Sequence, residues 1–193
     1  AGPTGTGGFR AEAGRYRLYV ALICPWASRT LMARALKGLE DLIPVTVVNP
    51  VLGDQGWEFG GYARATPDPV FGARYLHEIY TRMDPHVTGR ATVPVLWDMQ
   101  QGVIVNNESA DILRMFDTAF EHLVPSRYRL YPTALGAQID ALNAQIYDGL
   151  NNGVYKCGFA STQAAYDEAV TGVFDTLDRL ESRLEGDYLF GDQ

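Results

Sequence analysis

Two successive strand-containing patterns, followed by helical spacing alone, predict an α/β domain with an all-α domain behind it. Three observations carry this. A β-type run at 18–23 feeds into a cysteine and an amphipathic helix, and a second strand follows at 43–48. Strand, helix and strand in so short a stretch form a βαβ unit, so the two strands should be parallel. Two further strand-like runs, 92–97 and 103–105, are joined only by Asp98-Met99-Gln100-Gln101-Gly102, which makes them an antiparallel hairpin. Beyond residue 132 the apolar residues recur only with helical period.

In chain order, residues 1–14 carry five glycines and read as an extended arm. The first strand covers 15–23, and Pro25 suits the first turn of the helix that follows Cys24. That helix runs to about Lys37, with Met32, Ala35, Leu36 and Leu39 on its apolar face and Gly38 as its stop. Pro44 stands near the start of the second strand, as an edge strand permits. Residues 49–90, broken by Gly53, Gly56, Gly60, Gly61, Pro67 and Pro69, form a long excursion with one helical candidate at 73–82. A loop of that length in a compact domain is usually functional or mobile.

Pro94 inside the third strand argues for an edge or a special conformation, and a cis Val93–Pro94 bond suits it. After the fourth strand, Asn107 or Ser109 caps a helix with Ile112, Leu113 and Phe116 on its apolar face. The order βαβ then ββα, with a cysteine after the first strand and a proline at the third, is the thioredoxin-like layout. Residues 117–132, with Pro125 and Pro132, read as a linker, and the domain boundary is expected between 120 and 121. One helix then carries Leu135, Ile139, Leu142, Ile146 and Leu150 and ends near Asn151-Asn152-Gly153. Ser161 or Thr162 caps a second, with Ala169, Val173, Leu177, Leu180 and Leu184 as its stripe.

The bulk chemistry narrows the function. A formal charge of −7 and a pI near 4.9 argue against a nucleic-acid surface or an anionic membrane as partner. No apolar run reaches the length of a membrane span and no signal peptide opens the sequence. Two cysteines make no disulfide framework, so a reducing cytoplasm is the expected location. His77, His86 and His122 are scattered without metal-ligand spacing, read as surface or loop residues, and no metal is expected.

Cys24 is the residue with chemistry to offer. At a strand-to-helix junction, backbone N–H groups and the helix dipole favour a thiolate, the position of a thiol nucleophile. A small buried core residue and a disulfide with Cys157 are the competing readings. Ala27 stands where a Cys-x-x-Cys motif places its resolving thiol. A mixed disulfide on Cys24 therefore needs an outside thiol, and glutathione is the obvious one. Trp57, in the long excursion, either lines a site or anchors the loop to the core.

Taken together, Gly14-Arg15-Tyr16, Cys24-Pro25-Trp26-Ala27, the run 34–41, Thr92 through Asp98, Val105 through Ser109, and Leu150 through Lys156 resemble the glutathione transferases. The closest resemblance is to their Xi class, the glutathionyl-hydroquinone reductases, and it covers nearly the whole chain. The resemblance implies a glutathione transferase fold and glutathione as cosubstrate, with a glutathionylated hydroquinone as substrate and a homodimer as assembly. Cys24 would be the nucleophile. Val93, held by Pro94, would pair with the cysteinyl part of glutathione like an added strand. Glu108 would face the γ-glutamyl ammonium, and Ser109 with nearby amides its carboxylate, a plain helix cap being the competing reading of that pair. Trp57 would line the same pocket. Tyr155 would face the aromatic substrate, or else simply pack at a helix end. Ser28 replaces the family's usual histidine, and Cys157 stands at a common alanine position. The family also has a long C-terminal continuation, so a sequence stopping at Gln193 is expected to be either a truncated piece or a shortened relative with a half-built hydrophobic site. An omega-like thioltransferase or dehydroascorbate reductase is the alternative within the class, and a non-catalytic glutathione-binding module the alternative outside it.

Overall fold

The sheet is built on Tyr16–Val20 (β1), whose alternate side chains point to opposite faces, so that Tyr16, Leu18 and Val20 enter one core and Tyr19 the other. A computed structural model describes residues 2 and 4–191; Ala1, Pro3, Asp192 and Gln193, at the ends of the expected arm and closing run, lie outside the described residues. β1 pairs in parallel with Val45–Val47 (β2) and antiparallel with Val95–Asp98 (β3). β3 forms a hairpin with Val103–Asn106 (β4), giving the order β2-β1-β3-β4. The expected thioredoxin-like sheet is thus present, with Pro94 just before β3 instead of inside it and the Val93–Pro94 bond cis.

One face of the sheet is covered by Pro25–Leu36 (α1) and Ser109–Thr118 (α3), with Ala27, Ala33, Ile112 and Phe116 completing the core. The other is covered by Leu76–Met83 (α2) and the long excursion, through Leu76, Ile79 and Phe59. The excursion is anchored by Asp68. Its buried carboxylate accepts from the amides of Val70, Phe71 and Ala73 at 2.9–3.2 Å and from the Tyr19 hydroxyl at 3.1 Å. Burial, and then the Asp68 charge, pushes the Tyr19 phenol above its ordinary value. Asp98 closes the hairpin turn by accepting from the amides of Gln100 and Gln101, and it pairs with Arg15. Burial pushes its carboxyl up, but the Arg15 hydrogen bond and the two amides outweigh this and hold it below the usual carboxylate range.

The face of α1 that enters the core differs from the expected one. Ala27, Thr30 and Ala33 are buried, whereas Met32, Ala35 and Leu36 face outward. Small side chains let α1 lie close against the sheet and α3. The helix ends as expected, with Gly38 at φ 65° and the Leu39 amide donating back to the Arg34 carbonyl. Two compact units divide at 130/131, later than the expected boundary at 120/121. The reason is polar: Lys37 Nζ donates to Asp117 and to the Tyr128 carbonyl, and the Leu130 amide donates to Asp117. Residues 121–130 are thereby tied to the first unit and do not act as a linker.

The second unit, 131–193, is helical. Gly136–Ile146 (α4) does not stop at 151–153. A π-helical turn, Tyr147–Asn151, carries it on into Asn152–Gly158 (α5), and Gln163–Arg183 (α6) packs back against α5. Gly153, which read as part of a stop, is a packing residue, as is Gly149 before it. A side chain at Gly149 would collide with Thr176 of α6, and a Cβ at Gly153 would stand 2.7 Å from Val173. Thr162 caps α6, its hydroxyl accepting from the Ala165 amide at 3.2 Å. Val173 and Thr176 are the buried residues of α6, while Leu177 and Leu184 of the expected stripe are exposed. Gly149→Ala is expected to lower stability by about 1–3 kcal/mol through overpacking. Gly172→Ala, in open space on α6, is expected to raise it slightly. Urea unfolding of the two variants checks both, and equal effects would refute the packing account.

Candidate functional site

Cys24 stands four residues beyond the end of β1, at the entry to α1. Its amide donates to the Ala21 carbonyl at 3.0 Å, and its own carbonyl accepts the first bond of α1, from Ser28. With φ −86° and ψ 116° it is the N-cap residue, followed at once by Pro25, whose missing N–H costs nothing there. The thiol is partly buried against both cores and is not in a disulfide; Cys157 is free as well. Sγ lies 3.6 Å from the Val93 carbonyl oxygen, as donor to acceptor. Val93 and Pro94 are buried beside it, on the segment that leads into β3. Trp57 is half-buried against the same core as Val93 and Cys24, and its carbonyl accepts from the Leu76 amide that opens α2. Trp57 thus anchors the excursion, the second of its two expected roles, and packs on a core that Cys24 also touches.

The N-terminus of α3 meets α1 through a polar cluster. Glu108, not Asn107 or Ser109, is the N-cap, its carboxylate accepting from the Ala110 amide at 3.2 Å. Asn106 supports it by accepting from the Glu108 amide at 2.6 Å. Ser109 begins the helix and is buried. Arg29, one turn into α1 from Pro25, reaches across to both: Nε and Nη2 donate to Ser109 Oγ at 2.9 and 2.7 Å, and Nη2 lies 3.3 Å from Glu108 Oε1. The Trp26 ring lies under the guanidinium, 5.0 Å from its carbon to the ring centroid. Arg29 is the site residue that motif reading missed. Its signal was its helical spacing from Pro25, which returns it to the face that meets α3.

Cys24, Val93, Pro94, Trp57, Glu108 and Ser109 thus belong to the first unit, and Tyr155 to the second, on α5. Tyr155 is exposed and stacks on Phe159 at 6.4 Å. Among the described residues no group of three or more His, Cys, Asp and Glu side chains is placed to hold a metal ion, and no helix is long and apolar enough to cross a membrane. The arrangement presents one thiol at a helix start, a backbone segment beside it, and a cation and carboxylate at a second helix start.

Residues 23–119 match the family "Glutathione S-transferase, N-terminal domain". The glutathionyl-hydroquinone reductase YqjG of Escherichia coli (strain K12) is 55% identical over 194 residues, spanning 100% of this chain and 59% of YqjG. The glutathionyl-hydroquinone reductase PcpF of Sphingobium chlorophenolicum is 49% identical, spanning 96% of this chain and 60% of PcpF. The crystal structure of the glutathione S-transferase Xi from Phanerochaete chrysosporium superposes with a TM-score of 0.95 at 54% identity, over 98% of this chain and 66% of that one. The glutathione-bound structure of YqjG superposes equally well, at 0.95. The chain spans about three fifths of the length of the curated relatives it matches. Identity at this level along the whole chain, on the same fold, settles the assignment: the chain belongs to the glutathione S-transferase family, in its Xi class.

Proposed function

We propose that the protein reduces glutathionyl-hydroquinones with glutathione, through Cys24. The observation that carries this is the thiol of Cys24 at the start of α1, 3.6 Å from the Val93 carbonyl, in a chain whose relatives at 55% and 49% identity bear that activity in their names. Glutathione would lie with its cysteinyl backbone along Val93 and its γ-glutamyl group at Glu108 and Ser109, with Trp57 bordering it. The Cys24 thiolate attacks the sulfur of the glutathionyl group. The bond between that sulfur and the aromatic carbon breaks, the carbon keeps the electron pair and takes a proton, and hydroquinone leaves. A disulfide between Cys24 and glutathione remains, so two sulfurs are oxidised as one carbon is reduced. A second glutathione thiolate then attacks this disulfide, releasing oxidised glutathione and restoring Cys24. Ala27 supports the need for this external thiol, since no second cysteine lies on that turn. Tyr155 would donate a hydrogen bond to the phenolic oxygen of the substrate. A homodimer in the cytoplasm belongs to the same reading.

The test compares turnover of a glutathionyl-hydroquinone with that of a small glutathione mixed disulfide at equal concentration. The glutathionyl-hydroquinone is expected to be turned over faster. Turnover of the mixed disulfide alone would assign an omega-like thioltransferase instead. An unreactive Cys24 would assign a binding module.

A further inference from the structure

We infer that Arg29 selects for the α-carboxylate of the γ-glutamyl group, an inference that rests on Glu108 and Ser109 receiving that group. The bond inventory of Ser109 points to it. A serine hydroxyl has one proton to donate and two lone pairs to accept with. Here Oγ, in a residue 2% exposed, accepts from Arg29 Nε and Nη2 and donates to Glu108 Oε1 at 3.3 Å. All three capacities are used, and the proton points at a carboxylate already present. An incoming carboxylate therefore meets no donor at Ser109 unless the hydroxyl turns. The charge it meets is the guanidinium, whose Nη2 already faces Glu108 Oε1 at 3.3 Å and can donate a charge-assisted bond to a carboxylate at that place.

The cluster as it stands is a stand-in for the ligand. Arg29 and Glu108 hold each other at 3.3 Å with side chains 28% and 52% exposed, and such a pair is weakly held in water. The amino and carboxylate ends of a γ-glutamyl group can replace it pairwise. The ammonium takes Arg29's place at Glu108, and the carboxylate takes Glu108's place at Arg29. Neither protein charge is left unpaired before or after. The Trp26 ring, 5.0 Å from the guanidinium carbon, helps hold Arg29 in place through the exchange.

Binding calorimetry of three ligands tests this: S-methylglutathione, the analogue with 4-aminobutyrate in place of the γ-glutamyl residue, lacking its α-carboxylate, and the glutaryl analogue, lacking its α-amino group. The unsubstituted protein is expected to bind S-methylglutathione about tenfold to a hundredfold tighter than the 4-aminobutyryl analogue. Arg29→Gln is expected to shrink that preference to less than about threefold, as the charge-assisted bonds are lost. Its preference over the glutaryl analogue, which reports on Glu108, should persist. Arg29→Lys should restore part of the first preference, since a point charge remains in place of the guanidinium. If Arg29→Gln keeps the full preference, or loses both preferences together, the inference is overturned. Failure of S-methylglutathione to bind the unsubstituted protein would overturn the glutathione reading itself and this inference with it.

Discussion

Cys24→Ala is expected to abolish both covalent capture of glutathione and turnover, the largest functional effect of any single substitution in this chain. In the absence of free glutathione, the unsubstituted protein should release one equivalent of hydroquinone from a glutathionyl-hydroquinone. It should then gain the mass of one glutathionyl group on Cys24 and stop, because Ala27 offers no second thiol. Adding glutathione should restart it. Cys157→Ala should leave burst and turnover intact, because Cys157 lies near the end of α5 and not at a helix start. Intact-protein mass spectrometry with quantification of released hydroquinone reads every part of this. An adduct on Cys157, or residual reduction by Cys24→Ala above about a thousandth of the original rate, a loss of roughly 4 kcal/mol in barrier lowering, would remove Cys24 from the centre of the chemistry.

The strand order was legible because it rests on short-range constraints. Five residues between two strand runs permit a hairpin and little else, and a single helix between two others imposes the parallel pair. The cysteine and the cis Val93–Pro94 segment were legible for the same reason, since each sits at an element boundary marked by proline. What apolar counting misplaced was the face of α1. It favours the largest side chains, Met32 and Leu36, but packing against α3 selects Ala27, Thr30 and Ala33, whose value lies in being small. The same blindness turned Gly153 into a helix stop, when it and Gly149 are places where α6 comes close. Asp68 and Arg29 were hidden differently. Their partners lie far along the chain, Tyr19 for one and Ser109 for the other, and a polar contact across 49 or 80 residues leaves no periodicity to read.

Lys37 was read only as the last residue of a helix, and replacing it is expected to give a large loss of stability. It is 2% exposed and its partner Asp117 is 1% exposed, with Nζ 3.1 Å from Oδ1, 2.8 Å from the Tyr128 carbonyl and 3.5 Å from Glu121. Lys37→Met keeps most of the hydrocarbon volume and removes the charge. Asp117 retains the Leu130 amide at 2.9 Å but loses its buried cation, and an anion left so is expected to cost about 3–5 kcal/mol. That is a large part of the roughly 5–15 kcal/mol that holds a typical domain folded. Adding Asp117→Asn to Lys37→Met should recover part of the loss, because the double variant no longer buries the Asp117 carboxylate without its Lys37 cation. The exposed pair Lys156–Asp148, at 2.8 Å but with side chains 54% and 78% exposed, provides the contrast. Lys156→Met should change stability by less than about 1 kcal/mol. Chemical unfolding of the four proteins measures the difference. A loss below about 1 kcal/mol in Lys37→Met, or a double variant no more stable than the single, would mean that the pair is not what ties α1 to α3 and the 121–130 segment.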